Sequence, residues 1–105
     1  MTPLFNPNQN NIGNTTTVSS NYTVTATDNT IEVDTSGGNV TVTLLNPVDK
    51  PVGTQIRVKK ITTDTNAMII ATPTGLIDGQ TTITTNSTVK PSYTLETDGT
   101  NYIKV

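Results

Sequence analysis

The chain is expected to fold as an all-β domain, and three observations carry that expectation. Thr makes up about a quarter of its 105 residues, and a β-branched side chain that is stiff at its first torsion suits a pleated, half-buried surface. Short stretches alternate Thr with Val or Ile, the two-residue period of a strand with one buried face. Gly, Asn, Asp and Pro separate those stretches at roughly 8–12-residue intervals, as in small sandwiches and barrels. The expected architecture is a small antiparallel β-sandwich, barrel or β-prism of about eight short strands, with an extended N-terminal arm.

Residues 1–20 form the arm. They lack the two-residue alternation and cluster Asn and Gln, and Pro3 and Pro7 bias Thr2 and Asn6 toward extended backbone. Leu4-Phe5 and Ile12 are apolar islands in this polar run, and Phe5 is the single Phe of the chain. A free tail gains nothing from such residues, so Leu4, Phe5 and Ile12 are the candidate anchors on a partner chain. An extended arm of this length reaches roughly 60 Å, and adding a strand to a partner's sheet edge is one natural mode of attachment.

Residues 21–105 form the β domain. Tyr22 to Thr27, Thr30 to Asp34 and Val40 to Leu44 alternate in turn and read as an antiparallel meander with one wet face. Ser36-Gly37-Gly38-Asn39 is the turn between the last two. Pro47 and Pro51 make 46–53 a loop. Gln55 to Lys59 resumes the alternation, and Lys60-Ile61 breaks its phase, which indicates a bulge or strand end. The continuous apolar run Ala67 to Ala71 reads as a strand buried on both faces. Gly75 to Gly79 is a tight turn with apolar shoulders, Thr81 to Thr85 a weak strand around Ile83, and Asp98-Gly99 the turn of a terminal hairpin. No helix is expected.

Composition excludes more than it assigns. With 31% hydrophobic residues the core must be thin, yet Leu, Ile, Val and Phe still total about 24%, above the roughly 20% at which disorder becomes the default. No signal-like or membrane-spanning apolar run is visible, so the chain is expected to be made in the cytoplasm and to cross no membrane. Six basic against eight acidic residues give no clustered positive surface for nucleic acid.

The chain holds no His and no Cys, which removes the usual general base and the strongest nucleophile. Two carboxylates about 5–10 Å apart could still serve glycoside hydrolysis. Glu32 with Asp34, and Glu96 near Asp98, are the pairs to consider, but both lie on the solvated face, and no enzymatic activity is expected. Asp28, Asp34, Asp64, Asp78 and Asp98 are scattered singly, as turn-capping residues are, so neither a metal nor a cofactor is expected. Asn14, Asn21, Asn39 and Asn86 each open a glycosylation-like triplet, at a frequency that so much Asn and Thr produces by chance. Tyr22, Tyr93 and Tyr102 could stack on a sugar, but each opens a strand and suits a sheet end. Arg57, Lys59 and Lys60 are the one basic cluster, a secondary contact for an acidic partner or a solvated sheet edge.

The segment from Tyr22 to Leu44 resembles one that recurs in small β domains of tailed-bacteriophage structural proteins, both capsid decoration proteins and tail fibres. Ile56 to Lys60, Ala67 to Ile70, Ile77 to Gly79 and Thr97 to Tyr102 fit the same pattern, so the likeness covers residues 21–105. Two positions depart from it: Asn46 interrupts a proline-rich stretch, and Tyr102 stands where Trp is common. The resemblance implies a decoration, or cement, protein of the virion, commonly a homotrimer, which clamps the major capsid protein on the outer surface of the shell. The alternative it implies is a tail-fibre or receptor-binding module for host-surface glycan.

Overall fold

Alternating Thr with small apolar residues does produce strands, and nine are present among residues 14–105, the part of the chain that the computed structural model describes. They are β1 (Asn14–Val18), β2 (Tyr22–Thr23), β3 (Asp28–Val33), β4 (Val40–Thr43), β5 (Gln55–Lys60), β6 (Met68–Ala71), β7 (Thr82–Thr85), β8 (Ser92–Thr97) and β9 (Tyr102–Lys104). A first sheet has the order β1-β3-β5-β8-β9 and a second the order β2-β4-β6-β7. The fold is all-β, as expected. Among the described residues the one helical turn is a three-residue 3-10 segment, Pro47–Asp49, inside the proline loop.

The meander is a correction. From β1 to β6 consecutive strands do not pair, because the chain alternates between the sheets. β1, β3 and β5 stack side by side in one, and β2, β4 and β6 in the other. These neighbours run parallel: Ile31 lies beside Val58, and Val42 beside Ile70. The first two-thirds of the domain is thus a flattened coil, and the strand in the opposite sheet serves as the crossover that parallel pairing requires. Antiparallel pairing appears where β7 returns beside β6, and where β8 and β9 close the first sheet. Alternation specifies which face of a strand is buried and is silent about which strand lies next to it.

Asparagines hold the corners of the coil. Asn21, just before β2, accepts from the Thr41 N–H at 2.9 Å, and Asn39, just before β4, accepts from the Ala67 N–H at 2.8 Å. Each Asn thereby ties its own turn of the coil to the next, a concrete role for two residues that read from sequence as chance triplets.

The core lies between the sheets. Ile31, Val33, Val58 and Leu95 reach it from the first, Val40, Val42, Met68 and Ile70 from the second, and all are 0–1% exposed. The apolar run Ala67 to Ala71 is not buried on both faces: Met68 and Ile70 point inward, whereas Ile69 and Ala71 are half-exposed on the outer face. The turn at Gly75 needs glycine, because its φ of +69° is left-handed and a Cβ there would collide with the Thr100 carbonyl oxygen.

Candidate functional site

The sheets end in four edge strands, β1, β9, β2 and β7, and β1 is the one that directly follows residues 1–13. Asn14–Val18 was expected to belong to the arm, but it pairs in parallel with β3 and forms the edge of the first sheet. The register shifts between Asn14 and Thr15, so Asn14 lies beside Asp28 and Thr15 beside Thr30. Thr17 hydrogen-bonds Glu32 at 3.0 Å and Thr16 hydrogen-bonds Asp28 at 2.8 Å, which fasten the strand inward. Among the described residues nothing pairs with its other side. Sheet edges are usually blunted by charge or proline. β1 has neither.

Next to this edge, the outer face of the first sheet carries Glu32, Arg57 and Lys59. Register places Thr17, Glu32, Lys59 and Ser92 in one row and Thr15, Thr30, Arg57 and Thr94 in the adjacent one. Arg57 is exposed, while the Lys59 ammonium donates to the Lys90 carbonyl at 3.0 Å. The strands of the second sheet carry no charged residue.

Arg57 and Lys59 therefore share an outer face, as expected. Lys60 does not join them. The inward phase of Ile56 and Val58 continues through Lys60, which is 0% exposed, so the expected break in phase at this lysine does not occur and it cannot contact a partner. Its ammonium donates to the carbonyls of Asp64, Asn66 and Ser87, the last two at 3.0 Å. The Asp64 carboxylate stands 3.7 Å away. Three donors meet three acceptors, which makes the burial of a charge tolerable. Sequence gave no sign of this, because a lysine beside a lysine reads as surface. The anchors Leu4, Phe5 and Ile12 lie outside the described residues.

Asp64 completes a polar plug at this end of the sandwich. The buried Thr35 hydroxyl donates to it at 2.7 Å and the Asn66 N–H at 3.0 Å. The Thr35 hydroxyl, Thr62, the Asn66 N–H and the Lys60 charge together outweigh desolvation and hold the carboxyl at about 2, below its ordinary 3.8. A carboxyl depressed on folding contributes stability above its unfolded value, and that contribution disappears as pH falls through the folded one. Wild-type protein should lose this increment between pH 3.8 and about 2, and Asp64→Asn should show a flatter acid limb over that window. Urea denaturation midpoints at a series of acidic pH values measure it; equal acid slopes in both proteins would refute the assignment.

The remaining candidate groups are engaged locally. Asp28 accepts from the Tyr22 hydroxyl (2.7 Å), the Thr25 N–H (2.8 Å) and the Thr16 hydroxyl (2.8 Å). Burial works to raise its pKa, but the N–H and hydroxyl donors prevail and hold it below the usual range; Tyr22 is raised by donating to that carboxylate. Asp34 caps the turn through the Ser36 hydroxyl and N–H, and Asp98 through the N–H groups of Asn101 and Thr100. Each is thereby lowered, which suits neither to the proton-donating half of a two-carboxylate mechanism.

No protein-family model, curated protein sequence or solved structure matches the chain.

The tyrosines considered for stacking are also committed. Tyr102 is 4% exposed and donates to the Leu45 carbonyl at 2.7 Å, and Tyr93 packs partly buried against the core. Among the described residues no three acidic, His or Cys side chains come together as a metal site would need.

Proposed function

We propose that the chain is a structural attachment protein: a capsid decoration, or cement, protein that binds the assembled shell through its N-terminal residues and the edge that follows them. The observation that carries this reading is the free, uncharged side of β1, which begins one residue after residue 13. An unpaired strand edge presents backbone donors and acceptors that need partners, and a partner's extended segment supplies them. Leu4, Phe5 and Ile12 add apolar anchoring ahead of that edge, and Arg57, with Lys59 beside it, supplies a second, electrostatic contact. The resemblance of Tyr22 to Leu44 to phage structural domains supports the virion as the setting, the major capsid protein as the partner and a homotrimer as the working form.

In this reading the protein works by mass action. It binds the assembled lattice and not free subunits, so the lattice is stabilised by an amount that grows with the logarithm of its free concentration over its Kd. Deleting residues 1–13 should abolish co-sedimentation with assembled shells while leaving the far-ultraviolet circular dichroism and cooperative unfolding of the β domain in place. Undiminished co-sedimentation would overturn the role given to the arm.

A further inference from the structure

The turn between β2 and β3 and the long loop between β4 and β5 leave a cleft at one end of the sandwich, with a volume of about 90 Å3. Its apolar floor is made by Val24, Leu45, Ile56 and Tyr102, and its rim includes Asn29 and Lys50. Asn29 is the residue of β3 that the register shift beside β1 leaves without a partner on that strand, so the cleft opens where the pairing is interrupted. We infer that this cleft is a binding site for an aliphatic side chain flanked by a carboxylate, presented by a partner chain.

Volume sets the size of the occupant. An enclosed cavity of about 150 Å3 lined by apolar side chains holds a benzene molecule, so this smaller, open cleft has room to seat a branched aliphatic group of four or five carbons. Charge sets its neighbour. Among the described residues the Lys50 ammonium has no hydrogen-bond or ion-pair partner, and Lys50 is half-buried at the mouth. Asp28 also lines the cleft, but its oxygens already accept from Thr16, Tyr22 and Thr25. Glu96, on the next strand, is held by the Gln55 amide at 2.7 Å. Those bonds leave both carboxylates ionised but engage their oxygens, whereas the Lys50 ammonium has no partner among the described residues, and a carboxylate next to the aliphatic group is what it can pair with.

That the occupant comes from a capsid partner rests on the attachment reading; the chemistry of the cleft does not. The test uses 4-methylpentanoate as the probe on the full chain, followed by nuclear magnetic resonance. Saturable millimolar shifts are expected at Val24, Leu45 and Ile56. The amide of the same acid should bind about threefold more weakly, as removing one exposed charge partner allows. Lys50→Glu should reverse that order, and Ala26→Trp, at an exposed position on the lining, should abolish the shifts without altering the fold. Absence of saturable shifts in the wild type, or equal binding of acid, amide and 3-methylbutylamine, would overturn the inference. Because no shell is present in this experiment, its failure leaves the attachment reading to the co-sedimentation result, and the converse also holds.

Discussion

Lys60→Ala is expected to destabilise the domain by about 3–5 kcal/mol, the range found when one partner of a buried charge cluster is removed. The substitution leaves the Asp64, Asn66 and Ser87 carbonyls without their donor and the Asp64 carboxylate without its counter-charge. Buried acceptors that lose a partner keep their full desolvation penalty. Lys60→Met separates shape from chemistry, since it restores most of the volume and none of the hydrogen bonds; a loss close to that of the alanine variant is expected. Urea denaturation measures both. A loss under about 1 kcal/mol, the size of a surface ion pair, would mean that the ammonium lies in solvent and that the assigned burial is wrong.

The second large effect separates two adjacent isoleucines. Ile70 is 0% exposed and lies between Val42 and Ile83 in the second sheet, so Ile70→Ala should cost about 2–5 kcal/mol in transfer and cavity terms. Ile69 lies between Thr41 and Thr84 on the outer face, half-exposed. Ile69→Ala should cost under about 1 kcal/mol, because little apolar area returns to water. Equal losses would show that β6 is covered on both sides, as its unbroken apolar run suggests.

That pair of residues also shows where sequence reading stops. Ala67 to Ala71 is apolar throughout, so it contains no periodicity from which a face could be chosen. Where Thr alternated with Val, as at Val40 and Val42, the inward face was legible, and the turns at Ser36 to Asn39 and at Asp98-Gly99 were legible from their glycines. The candidate site was legible in part. Arg57 and Lys59 share the face that their spacing demands, whereas Lys60, assigned to the same cluster, belongs to the core, and the cleft floored by Val24, Leu45, Ile56 and Tyr102 assembles residues far apart in the chain.

The sequence by itself determined the all-β class, most strand positions and the inward face of each alternating strand, because these follow from local propensity and a two-residue period. Only the tertiary structure decided that strands β1 to β6 alternate between the sheets, so that every second strand stacks in parallel on the one before it, that Asn14–Val18 is an edge and not part of the arm, and that Lys60 is enclosed. The physical reason is common to all three. Pairing partners and burial of a polar group are set by hydrogen bonds between segments distant in sequence, such as Asn39 with Ala67 or Lys60 with Ser87, and no local pattern encodes which distant segment completes the bond.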